Sequence, residues 1–92
     1  MVIFGQNELR RYGERFLCQI YHTADGIVDR RFNKYDIFIA IGIKGIGGAG
    51  VRQATDEIVQ YLRNHDLIRT VEDSEDIMLS MAGLAEAERI CK

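Results

Sequence analysis

The segment Lys44-Gly45-Ile46-Gly47-Gly48-Ala49-Gly50 constrains this chain more than any other, because four glycines in seven residues oppose both helix and strand. It must be a loop. Before it, Asp36-Ile37-Phe38-Ile39-Ala40-Ile41-Gly42-Ile43 is apolar almost throughout, so periodicity alone does not separate helix from strand. After it, Val51, Ala54, Ile58 and Leu62 recur at helical spacing, while Gln53, Asp56, Gln60 and Arg63 fall on the other face with Arg52 and Glu57 beside them. That predicts an amphipathic helix over about 51–64. The identity of the apolar run therefore decides the fold.

If the run is a strand, Gly45-Ile46-Gly47-Gly48-Ala49-Gly50 is a literal G-x-G-x-x-G between strand and helix, with Glu72 and Asp73 some 22 and 23 residues beyond Gly50. In a dinucleotide site such glycines let the backbone approach pyrophosphate, and the acid binds ribose. The rest of the chain opposes this. A half-site needs about β-α-β-α-β, and the twenty or so residues after Asp73 supply one strand and one short helix. A long helix also precedes the supposed first strand, leaving it without parallel neighbours. The glycines read better as a turn between two helices, and no cofactor is expected.

The flanking segments fit that choice. Asn7 is the expected cap of a first helix that carries Leu9, Tyr12, Phe16 and Ile20 on one face, sets Arg11, Glu14, Cys18 and His22 opposite, and stops near residue 24 at Asp25-Gly26. Ile27 to Phe32 reads as a short extended segment, and Asn33 caps a second helix from Lys34. Leu67–Val71 and Ile77–Ser80 read as strands joined through Glu72-Asp73-Ser74-Glu75-Asp76, a hairpin. Ser80 caps a last helix with Leu84, Ala87 and Cys91 on one face. Ninety-two residues allow one core, so residues 1–92 form a single α+β domain.

In order and spacing these pieces resemble the winged helix-turn-helix family over about residues 8–91. Residues 36–43 resemble its second helix, Val51 to Leu62 its third, Tyr61 to Ile68 the helix end and first wing strand, and Leu79 to Arg89 its last strand and closing helix. The resemblance implies a three-helix core, a β-hairpin wing, a C-terminal helix and a small transcriptional regulator that reads DNA with the third helix. Departures are the long Lys44–Gly50 connection, Phe38 at a position where small residues are common, and Ile39 where polar ones are.

For DNA, the suitable side chains are Arg52, Gln53, Gln60 and Arg63 on the third helix, with Arg31, Lys34 and Lys44 (and Arg30) as phosphate contacts. Charge divides unevenly: residues 1–55 hold eight basic and five acidic side chains, residues 56–92 four and nine. The acidic turn at 72–76 would repel phosphate, so the wing is not expected to clamp DNA. The alternative is a protein-interaction module using an apolar patch of Phe38, Ile39 and Ile46 on the second helix. A twofold homodimer is expected, with Phe4 ahead of the first helix and Ile90 on the last as contacts.

No enzyme is expected. Cys18 and His22 have a metal-compatible spacing, but Cys91 and His65 supply no paired motif, so no metal is expected. Ser74 and Ser80 lack a base, and the acidic turn lacks calcium-loop spacing. Two cysteines are too few for a disulfide scaffold, and neither a membrane span nor a signal peptide is evident. The expectation is a cytoplasmic protein with reduced thiols.

Overall fold

A computed structural model of the chain describes residues 2–91. Helix α1, Gln6–Ala24, begins two residues earlier than expected. Gly5, not Asn7, holds the cap position, and the Glu8 carboxylate accepts the Gly5 N–H at 3.1 Å in place of a cap side chain. The helix ends in the left-handed residues Asp25 and Gly26. Its Phe16, Leu17 and Ile20 are almost completely buried.

Residues 27–31 are not extended: Ile27 N–H turns back to the Ala24 carbonyl, and Asp29 takes a positive φ of 66°. Only Phe32–Asn33 form strand β1. Asn33 then caps helix α2, Lys34–Ile41, its side chain accepting the Tyr35 N–H at 2.9 Å. The apolar run is thus helical as far as Ile41 despite three isoleucines, because Ile37, Phe38 and Ile41 are buried on one side. Gly42 closes α2 at φ 64°, a conformation that costs a branched residue about 1–2 kcal/mol. After the glycine loop, α3 spans Gly50–Asn64 and buries Ala54, Thr55, Ile58, Val59 and Leu62.

Strands β2, Ile68–Thr70, and β3, Asp76–Leu79, form the expected hairpin. Strand β1 pairs with the far side of β3, so the three-stranded antiparallel sheet runs β1-β3-β2 with Phe32 and Thr70 both opposite Ile77. Ile68, Ile77 and Leu79 face the core. Helix α4, Met81–Ile90, is capped by Ser80, whose hydroxyl oxygen accepts the Gly83 N–H at 2.9 Å. The domain is therefore a small α+β fold of four helices and one antiparallel sheet.

Two expectations about the chain ends are corrected. Phe4 is not on a dimer surface: it is 5% exposed and its ring stands 5.2 Å from that of Tyr12. Ile90 is half-buried against the same core, so part of it stays at the surface and the contact expected of it is not contradicted. The cysteines are not free thiols either; Cys18 of α1 and Cys91 beyond α4 form a disulfide. Docking of α4 on α1 brings the two together, which is why Cys18 is half-buried on a face that reads as exposed. The bond also removes Cys18 from any pairing with His22 around a metal. A disulfide persists in oxidising surroundings, so the cysteines lend no weight to a reducing cytosol. Among the described residues no helix is long and apolar enough to cross a membrane.

Two outcomes test this packing. A methyl group at Gly83 would stand 1.8 Å from the Leu67 carbonyl oxygen, so α4 and the start of the hairpin must separate to admit it. Gly83→Ala is expected to cost about 3 kcal/mol or more in chemical unfolding, the upper range of overpacking, whereas Ala82→Gly, at an exposed helical position, costs only about 1 kcal/mol. The disulfide joins residues 73 apart. Its removal by Cys18→Ser with Cys91→Ser is expected to cost about 4 kcal/mol, with reductant destabilising the parent and not the double variant.

Candidate nucleic-acid interface on helix α3

Helix α3 separates its two faces cleanly. With Ala54, Ile58 and Leu62 inside, Arg52, Gln53, Asp56, Gln60 and Arg63 are all exposed, as the spacing predicts. Lys44 is exposed in the loop that leads into the helix. Among the described residues, Lys44, Arg52 and Arg63 take part in no ion pair. Gln60 donates to the Asn64 side-chain oxygen at 2.8 Å, which sets its amide along the helix.

The basic residues ahead of α3 are placed differently. Lys34 is not extended toward solvent: its side chain is 17% exposed, and Nζ lies 3.0 Å from Asp56 and 3.2 Å from Glu75. Partial burial opposes its charge, but the two carboxylates outweigh that penalty and hold Lys34 above its ordinary value. Glu75 is held below the usual carboxylate range, first by the Tyr35 hydroxyl and then by Lys34. Arg31 pairs with Asp76 at 3.1 Å and reaches the Ser74 hydroxyl. Arg30 points back to the Ala24 carbonyl and over the Phe32 ring. Glu75 and Asp76, from the turn that reads as repelling phosphate, and Asp56 of α3 are therefore matched by cations of the same chain. Glu72 and Asp73 stay exposed at the hairpin tip.

The N-terminal segment lies against α3, a contact the sequence did not announce. The Glu57 carboxylate accepts three hydrogen bonds, from Ile3 N–H at 2.8 Å, Phe4 N–H at 3.0 Å and the Gln53 amide at 3.0 Å. Between this segment and the helix runs an open groove of about 830 Å³. Val2, Phe4, Leu9 and Tyr61 form its apolar side, and Arg52, Gln53, Asp56 and Gln60 its polar side. A lone Glu on the flank of an amphipathic helix gives no sequence signal for such a contact.

The apolar patch expected on α2 is smaller than its sequence implies. Ile39 is 67% exposed with Ala40 beside it, but Phe38 is in the core and Ile46 packs against it. Phe38 takes an inward helical position, which buries its large ring in the core. A single exposed isoleucine is ordinary for a globular surface.

Comparison with protein-family models, with curated proteins and with solved structures finds no match to this chain.

The Glu57 contact has a defined pH dependence. Partial desolvation raises its pKa, but the Phe4, Ile3 and Gln53 bonds outweigh it, and the net shift is downward. A depressed carboxylate stabilises the fold fully above its unfolded pKa of about 4.3 and loses that contribution as pH falls through the folded value. In an NMR titration, the Ile3 and Phe4 amide protons are expected to move together with the Glu57 carboxyl, with a shared midpoint below about 4.3. A midpoint at or above that value would show the carboxylate is not holding the segment.

Proposed function

We propose that the chain is a winged-helix DNA-binding domain, a small transcriptional regulator that reads the major groove with the outward face of α3. The fold-level support is the order helix, short strand, helix, helix, hairpin, helix, together with the addition of β1 to the outer side of β3. The observation that carries the DNA reading is the outward face itself. Arg52, Gln53, Gln60 and Arg63 are exposed on a helix whose other side is anchored in the core, and these residue types suit guanine, adenine and phosphate. The acids beside them are turned to internal cations, which lessens their repulsion of a duplex.

The same geometry changes the expected balance of contacts. Arg31 and Lys34, whose charges are engaged at the hairpin, contribute little to phosphate binding; Lys44, Arg52 and Arg63 remain. Binding to non-specific duplex is therefore weak, and the hairpin tip with Glu72 and Asp73 stays away from the backbone. On the alternative reading, an interaction module on α2, Ile39 would have to carry the contact with little apolar surface around it.

Fluorescence anisotropy with labelled duplex across a salt series tests the proposal. With about three phosphate contacts per chain, log K is expected to fall against log salt with a slope of about −3. Lys44→Ala should weaken all sequences alike and flatten that slope by about one, while Arg52→Ala flattens it similarly and costs about 1–3 kcal/mol more at a selected site than on non-specific duplex. Absence of salt-dependent binding at low ionic strength would reject DNA as the partner.

A further inference from the structure

Val2 is the most exposed large apolar residue described, at 77%, yet the residues after it are firmly held. Phe4 is anchored in the core, and the N–H groups of Ile3 and Phe4 both end on the two oxygens of Glu57. One carboxylate gripping two successive amides sets the direction of the segment as well as its position. Val2 is thereby held in the lining of the same groove that Arg52 and Gln53 line, on the face assigned above to DNA. Exposing a valine at a fixed point costs apolar hydration that a partner can recover.

Resting on the DNA reading above, we infer that Val2 reads the methyl group of a thymine beside the bases contacted by α3, and that Glu57 is the positioning residue that holds it there. The chemistry is specific. In the major groove thymine differs from the other bases by its C5 methyl, which is recognised by apolar contact and not by hydrogen bonds. A valine supplies that contact, and Glu57 fixes the backbone that bears it without touching the duplex.

The experiment begins by selecting duplexes from a random pool with the intact chain, then replacing each thymine of the selected site in turn by deoxyuridine. That change deletes one methyl and no hydrogen-bonding group. One position is expected to lose about fourfold in affinity, the worth of a buried methyl, and the others almost nothing. Val2→Gly, at an exposed position outside every helix and strand, removes the side chain and should make that position insensitive to the methyl. Glu57→Gln should do the same, since it places an amide N–H against a backbone N–H. Methyl sensitivity that persists in Val2→Gly assigns the contact to another residue and overturns the inference, as does a parent with no sensitive thymine. Sensitivity lost in Val2→Gly but kept in Glu57→Gln removes the positioning role and overturns the inference in the form stated. Failure of the pool to enrich at all is a different result: it rejects DNA as the partner, and the inference falls with it.

Discussion

Burial of Phe16, Leu17 and Ile20 on the inner face of α1 is the condition on which the other elements depend. Helices α2, α3 and α4 and strand β3 all pack against α1. Each of those side chains is worth about 1.5–3 kcal/mol when fully removed from water, a large share of a domain stabilised by only a few kcal/mol in total. The approach of α3 is close because Gly13 leaves room for the Tyr61 ring, which would lie 3.0 Å from any Cβ there. The disulfide fastens the opposite edge of α1 to the chain end. With α1 gripped on both sides, α3 has little freedom to tilt, and its outward face is fixed relative to the loop and the hairpin.

Lys34 has a comparable role in the polar shell. Two carboxylates from distant segments meet on its ammonium, one from α3 and one from the hairpin turn, next to the cap that starts α2. Isolated surface pairs contribute at most about 1 kcal/mol, and the value of this one lies more in geometry than in energy. It fixes the angle at which the hairpin leaves the helices. Desolvating the lysine alone would be unfavourable; with Asp56 and Glu75 both present, the charge is retained and the three segments share it.

Much of this architecture is legible in the sequence because its signals are local. Asn33 and Ser80 cap helices by chemistry confined to three residues, Asp25-Gly26 stops α1 for the same reason, and the spacing of Ala54, Ile58 and Leu62 orients α3 without reference to the rest of the chain. The features missed depend on partners remote in sequence. Strand β1 is only two residues long and exists because β3 offers it hydrogen bonds. Cys18 and Cys91 are 73 residues apart, and nothing around either marks the other. Phe4 looks like a free apolar residue until Glu57 draws its backbone onto α3. Of the candidate site, the exposed residues of α3 were legible from periodicity, but the engagement of Arg31 and Lys34 was not. A charged residue reads the same in sequence whether it faces water or a carboxylate.

The positions of Asp56 and Glu57 explain how acids come to stand on a face otherwise suited to nucleic acid. Consecutive residues of a helix point about 100° apart, so neighbouring acids reach opposite flanks. Asp56 turns to Lys34 on the side of α2 and the hairpin, and Glu57 turns to the backbone of the N-terminal segment on the other. Read along the sequence, the two cancel Arg52 and Arg63. In space each is engaged by a contact that holds a neighbouring segment against the helix, although both still line the groove. Among the described residues neither Arg52 nor Arg63 is in an ion pair, although Arg52 helps to lower the Glu75 pKa from longer range. The field above the helix is therefore set less by the sum of its charges than by which of them have partners inside the domain, and on α3 it is the acids that do.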